Sequence, residues 1–216
     1  LEVRGKEIWL NNHPYYFRGF GDDHVYPITG MTPPDRAEHL KHLMKAHEAG
    51  FNFVRLHTPC ELPEYFEAAD EAGILIQVEM PYYCNLTCEA FEFDPGRDLD
   101  ELYRNFRRYP SFAVYCCGNE GSFGPALSKR LYQWVKATDP DRLMIHQDGG
   151  DNTPENSDYD NGPIDVWARG SVNPGRPFVT HEYLNLGIKQ DSRLEPLYTG
   201  VWEVPVTRVK RAEWLG

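Results

Sequence analysis

Residues 51–78 read FNFVRLHTPCELPEYFEAADEAGILIQV. Phe51 to Leu56 is a strand-like run. Leu62, Phe66 and Ala69 recur at helical spacing, and Gly73 stops that helix. Ile74-Leu75-Ile76-Gln77-Val78 is nearly all apolar, as in a strand buried on both faces. Strand, helix and strand in that order make a βαβ unit, which joins parallel strands.

The same rhythm extends in both directions. Upstream, Ile8-Trp9-Leu10 and Tyr15-Tyr16-Phe17 form a hairpin around Asn11-Asn12-His13-Pro14. A helix starts with Thr32 as cap and Pro33 at its first position, with Asp35 near the exposed amides. Leu40, Leu43, Met44 and His47 mark its inner face, and Gly50 ends it. Downstream, after a loop with Pro81, Pro95 and Gly96, Leu99, Leu102 and Phe106 mark a helix that Pro110 ends. Phe112 to Cys117 is a strand. Leu127, Leu131, Trp134 and Val135 mark another helix, and Leu143 to His146 another strand. Residues 149–162 read as a long loop. Ile164 to Trp167 and Pro177 to His181 are short strands, and Thr207 to Leu215 suits a last helix.

Seven strand centres result: Phe20, Val54, Ile76, Val114, Met144, Val166 and Val179. A doubly wound sheet would show a Gly-rich phosphate loop after its first strand, and none is present. The α/β class expected is therefore a (β/α)8 TIM barrel, whose typical length is about 250 residues. The chain reads as truncated before the eighth strand. Its expected organisation is one barrel domain over 1–216: an opening hairpin (1–17), strands one to seven (18–186) and a C-terminal tail (187–216). The piece reads as excised from a larger multidomain protein.

Composition narrows the function classes. Lys and Arg number 22 against 33 Asp and Glu, a formal charge of −11 over 216 residues. A nucleic-acid partner would need a basic face. No apolar run approaches the roughly 20 residues of a membrane helix, and Leu1 to Arg4 lack a signal-peptide layout. Five cysteines, an odd number, do not form a disulfide framework. Buried free thiols are expected, with a Cys84–Cys88 loop closure as the alternative. Asn85-Leu86-Thr87 matches the glycosylation acceptor pattern.

A (β/α)8 barrel carries its active site at the C-terminal strand ends. In strand order these ends hold Asp22, Asp23 and His24; Arg55 and His57; Glu79; Asn119 and Glu120; His146, Gln147 and Asp148; Trp167 and Arg169; His181 and Glu182. Glu120 and Glu182 each follow an apolar strand directly. Two carboxylates flanking one bond are what glycoside hydrolysis requires, one to protonate the leaving oxygen and one to attack or to activate water. A metal-dependent hydrolase would need an ordered ligand motif, and no His-x-His pair follows the first strand. No metal and no cofactor is expected.

Five stretches in order resemble the catalytic barrel of glycoside hydrolase family 2, the β-galactosidase, β-glucuronidase and β-mannosidase group. They are IWLNNHPYYFRGFGDDH, HLKHLMKAHEAGFNFVRLHTP, LPEYFEAADEAGILIQVEMP, NFRRYPSFAVYCCGNE and RPFVTHEYLN. The resemblance runs from about residue 5 to residue 186. It implies a retaining β-glycosidase of carbohydrate metabolism, with Glu120 as general acid/base and Glu182 as nucleophile. It further implies Asn119 on the sugar 2-hydroxyl and Arg55 holding the nucleophile ionised. His24, His57, Glu79 and Trp167 would line the substrate pocket. An oligosaccharide or glycoside would be the partner, and β-sandwich domains would accompany the barrel in the parent chain. An extracytoplasmic setting goes with the resemblance, although no residue of the chain specifies a compartment. The family's Tyr near the nucleophile has no counterpart in Val166-Trp167-Ala168-Arg169-Gly170-Ser171. The alternative reading is a catalytically impaired carbohydrate-binding barrel.

Overall fold

The computed structural model describes residues 1–26, 29–82, 94–121, 123–150, 152–162 and 175–182. The chain divides into two compact units, Leu1–His181 and Glu182–Gly216. Apart from Glu182, the second unit lies outside the described residues, and with it the expected helix at 207–215. Cys84, Cys88 and the acceptor pattern at Asn85 also lie outside them.

The chain opens as three antiparallel strands, β1 (Glu2–Arg4), β2 (Glu7–Leu10) and β3 (His13–Tyr15). Leu10 pairs with His13, so the turn is Asn11-Asn12 alone, with φ of 51° and 65°. Two left-handed residues give the twist a two-residue hairpin needs, and asparagine tolerates them. His13 and Pro14, expected in the turn, are therefore strand residues. Phe17 leaves the sheet and stacks on Phe53, centroids 4.1 Å apart. Ile8 is buried in the same cluster as Phe53, Leu143 and Tyr159, so the hairpin covers the N-terminal end of the strands that follow.

Those strands are β4 (Gly19–Asp22), β5 (Phe53–Leu56), β6 (Leu75–Glu79), β7 (Phe112–Cys116) and β8 (Leu143–Ile145). Between them run α1 (Arg36–Glu48), α2 (Pro63–Ala72), α3 (Pro95–Phe106) and α4 (Pro125–Thr138). The sheet order is β4-β5-β6-β7-β8 and every pair is parallel. Each strand is added beside the last in one direction. A doubly wound sheet would reverse its order, whereas a barrel does not. A further parallel pair, β9 (Asp160–Gly162) and β10 (Phe178–Thr180), follows. β9 falls inside the stretch expected to be a loop, where its Asp-Asn-Gly sequence hides it. The strand expected at Ile164–Trp167 lies outside the described residues.

The two faces of the sheet carry separate cores. Val54, Leu56, Ile76, Val78, Tyr115 and Met144 face the helices and pack with Leu43, Phe66, Leu99 and Val135. Phe53, Val114, Cys116, Leu143 and Ile145 belong to the other cluster. Strands buried on both faces explain the nearly unbroken apolar runs.

Helix boundaries depart from expectation at α1 and α3. The cap of α1 is Asp35, whose Oδ1 accepts from the Ala37 N–H at 2.8 Å. Pro34 pushes Pro33 out of the helical region, so the helix cannot start there. Thr32 instead donates to Glu61 Oε2 at 2.6 Å. His47, expected on the inner face, is exposed, and His39 is buried. α3 ends at Phe106, before Pro110 is reached. Cys116 and Cys117 are buried free thiols as expected, but Cys60, in the loop after β5, is exposed. Among the described residues no helix is long and apolar enough to cross a membrane.

Candidate active site

Arg55 is the hub of the C-terminal rim. It sits on β5 with Glu79 at the end of β6, and both point inward by strand alternation. Arg55 Nε donates to Glu79 Oε2 at 2.8 Å and Nη2 to Oε1 at 3.3 Å. Nη2 also donates to Asn119 Oδ1 at 2.7 Å, and Nε lies 3.2 Å from Asp148 Oδ2. Burial pushes the Glu79 carboxyl above its ordinary range, opposed by the Arg55 ion pair. Asp148 lies below its ordinary range, because His181 and Arg55 outweigh its burial. The Gln77 amide donates to the same Oδ2, and Tyr159 donates in turn to Gln77 Oε1 at 3.2 Å.

The segment after β7 is shaped by Gly118. At φ +150°, a Cβ there would stand 2.2 Å from Tyr82 O, so only glycine lets the chain pass. Asn119 N–H then donates to Tyr82 O at 2.7 Å and Glu120 N–H to Asp148 O at 2.8 Å. A parallel bridge between Asn119 and Asp148 prolongs the ladder past the ends of β7 and β8. Glu120 thus stands at the rim with 43% of its side chain exposed, its Oε1 3.3 Å from His181 Nε2. The ring is anchored on the other side, Nδ1 to Asp148 Oδ1 at 2.6 Å. Glu182 directly follows His181 and is exposed.

Besides Asn11 and Asn12 of the hairpin, four described non-glycine residues adopt left-handed backbone, all just past the ends of the parallel strands: His24 (φ 55°), Thr58 (68°), Glu120 (47°) and Glu182 (45°). Such conformations cost on the order of 1–3 kcal/mol each and gather at functional sites. Both glutamates singled out in the sequence are among them.

His24 and His57 sit on the adjacent loops after β4 and β5. His24 Nδ1 lies 2.5 Å from Glu61 Oε1, and His57 Nδ1 2.8 Å from Asp23 Oδ1. In both, Nε2 is buried without a partner, as are both amide atoms of Gln147 after β8. Unpaired buried polar atoms are costly, and a ligand's hydroxyls are natural partners for them. Trp167 lies outside the described residues.

The structure therefore joins Arg55, Glu79, Asn119 and Glu120 through Asp148 and His181. His24 and His57 rest on separate carboxylates. Sequence reading overlooked Glu61 and Gln77. Gln77 breaks an apolar strand two residues before Glu79, hence on the same face, which was a usable signal. Glu61 lies in a loop and gave none. It collects His24, Tyr26 at 2.8 Å and Thr32.

Residues 1–168 match the family described as glycosyl hydrolases family 2, TIM barrel domain. A β-galactosidase of Aeromonas hydrophila is 28% identical over 164 residues, covering 71% of this chain and 16% of that protein. A β-galactosidase of Leuconostoc mesenteroides is 25% identical over 170 residues, covering 71% and 15%. The chain thus spans about one-sixth of the length of these curated relatives. Among solved structures, a β-galacturonidase from Eisenbergiella tayi bound to galacturonate superposes with a TM-score of 0.68 at 19% identity, covering 82% of this chain and 37% of that one. A Bacteroides uniformis β-glucuronidase gives 0.66 at 18% identity, covering 82% and 26%. With a singly wound parallel sheet whose polar residues gather at one rim, and with this match over most of its length, the chain belongs to glycosyl hydrolase family 2, and its fold is that family's TIM barrel.

Proposed function

We propose that this protein hydrolyses β-glycosides with retention, by double displacement. One observation carries the reading. Glu79 and Asp148 are buried and tied to Arg55, while Glu120 stands 43% exposed on strained backbone at the same rim. It is the carboxyl of this network that a bound sugar would meet. The names of the relatives, β-galactosidase and β-galacturonidase among them, point the same way.

In this reading Glu120 protonates the departing glycosidic oxygen and later deprotonates the incoming water. Glu182 attacks the anomeric carbon, and the glycosyl-enzyme it forms is then hydrolysed. Arg55 is assigned to keep the nucleophile ionised. Asn119 Oδ1 is taken by Arg55, which leaves its Nδ2 to donate to the sugar 2-hydroxyl. The unpaired Nε2 atoms of His24 and His57 suit other hydroxyls. Glu79 lines the pocket floor through Arg55, and Trp167 supplies an apolar face. Glycosides or oligosaccharides are the substrates, and β-sandwich domains of the parent chain complete the enzyme.

The test uses 4-nitrophenyl β-galactoside, β-glucuronide and β-galacturonide with the full-length protein. Turnover of one with a β-configured first product is expected. The matching 2-deoxy-2-fluoro dinitrophenyl glycoside should then label Glu182, read by peptide mass spectrometry. An inverted product, or turnover with the label elsewhere, refutes the assignment. Saturable sugar binding without turnover would favour a carbohydrate-binding barrel.

A further inference from the structure

We propose that Asp148 and His181 are positioning residues for Glu120, Asp148 holding the imidazole so that its Nε2 and the Glu120 carboxyl share a single proton. This rests on the reading of Glu120 as acid/base.

The geometry fixes the tautomer. Asp148 is almost wholly buried and lies against Arg55 Nε at 3.2 Å and the Gln77 amide. That surrounding holds it ionised, hence acceptor only. His181 Nδ1, 2.6 Å from Asp148 Oδ1, must carry the hydrogen. In the neutral ring Nε2 then offers a lone pair to Glu120 Oε1 at 3.3 Å. The ring has little room to turn. Gly149, at φ +68°, packs so closely that a Cβ would stand 2.6 Å from Nε2. The His181 N–H is tied to Gly162 O at 2.7 Å.

The chemistry follows. The shared proton lies between Nε2 and the Glu120 carboxylate, and the imidazole, the stronger base, holds it until the carboxylate passes it on. When the glycosidic C–O bond breaks, that proton leaves with the departing oxygen. The carboxylate then faces a nitrogen lone pair, an arrangement that favours recovering a proton from the water that attacks in the second step. Carboxylate and imidazole then take up and release that proton as a pair, not as separate groups.

The groups facing this pair come from β5, β6 and β7 and from the residues just before β9 and after β10. Arg55 on β5 and Glu79 on β6 lie behind Asp148. Cys116 on β7 and Tyr159 stay neutral, both held protonated by burial. Glu182 is the next residue in the chain.

The first test needs no turnover. In ¹⁵N-histidine-labelled full-length protein, with His181 assigned by His181→Gln, neutral His181 should carry its hydrogen on Nδ1. In Glu120→Gln its titration midpoint should fall by about one unit or more, because the carboxylate that stabilises the imidazolium is gone. An Nε2–H tautomer, or a titration unmoved by Glu120→Gln, overturns the proposal. The second test is Asp148→Asn, which can donate to Nδ1 and reverse the tautomer, as a wrong tautomer disables other His-dependent sites. The rate ratio of dinitrophenyl to alkyl β-glycoside should rise about tenfold or more, with the basic limb of the alkyl-glycoside profile moved to lower pH. Equal losses on both substrates would mark a structural role and overturn it. A protein with the coupled titration but no glycoside turnover refutes the glycosidase reading and leaves the proton pairing standing.

Discussion

Arg55 grips Glu79 with two nitrogens, Nε on Oε2 at 2.8 Å and Nη2 on Oε1 at 3.3 Å, and the Glu79 side chain is wholly out of water. Removing one member of such a pair strands the other. Arg55→Leu should therefore cost about 3–5 kcal/mol, since Glu79 and Asp148 both lose their cation. Arg55→Lys keeps the charge but not the fork that also reaches Asn119, and should recover part of the loss. Urea unfolding measures both. An Arg55→Leu protein within about 1 kcal/mol of the original would contradict this account.

Gly118→Ala tests how the rim is set. A Cβ at 2.2 Å from a backbone oxygen has no flexible neighbour to displace, so Tyr82 or Asn119-Glu120 must move. A shift of about 1 Å at catalytic groups can cost roughly a hundredfold in rate. We expect such a loss in kcat with a secondary structure unchanged by circular dichroism. Full activity in this variant would show that Asn119 and Glu120 are held by something else.

Two carboxylates set the acid limb of stability. Burial works against ionised Asp22, but His42 and the His24 N–H outweigh it and hold it at about 2. Burial likewise opposes Glu61, and His24, Thr32, Tyr26 and the Leu62 N–H hold it at about 2. Both folded values lie below the ordinary 3.8 and 4.5, so the stabilisation is present above those values and is lost as pH falls towards 2. Each is worth about 2–3 kcal/mol near neutrality. His42 behaves oppositely. Its pKa is raised by the hydrogen bond to Asp22, so its smaller contribution is present below 6.5 and fades as pH rises through the folded value. Asp22→Asn and Glu61→Gln should each lower the melting temperature at pH 7, and the gap should close by pH 2. A gap that stays constant with pH would exclude these two groups as the cause.

Glu120→Gln should slow substrates with poor leaving groups by about 10²–10⁴-fold and activated aryl glycosides far less, since general acid assistance matters only where departure is hard. Azide should rescue the variant, giving a β-glycosyl azide detectable by mass spectrometry. A uniform loss across leaving groups without rescue would remove Glu120 from the acid/base role.

The alternation around β5, α2 and β6 was legible because strands buried on both faces and helices ended by glycine leave strong local patterns. Asn119 and Glu120 drew notice in the sequence because a polar pair comes soon after an apolar strand, with only Cys117 and Gly118 between. The start of α1 was misplaced because a Thr-Pro pair resembles a cap, while the second proline forbids the helix there. β9 was missed because Asp160-Asn161-Gly162 has turn composition and becomes a strand only by pairing with β10. The link from Asp148 through His181 to Glu120 joins residues far apart in sequence, and no spacing rule announces it.

The consecutive order of β4 to β8 has a consequence for synthesis on the ribosome. Each strand finds its partner in the segment made just before it, so the wall can assemble as the chain emerges, with little loop-closure entropy to overcome. The site does not keep pace. Glu120 meets His181 only after 61 further positions of chain. At roughly 5–20 residues per second, that is a delay of about 3–12 s in which the wall exists without its finished rim.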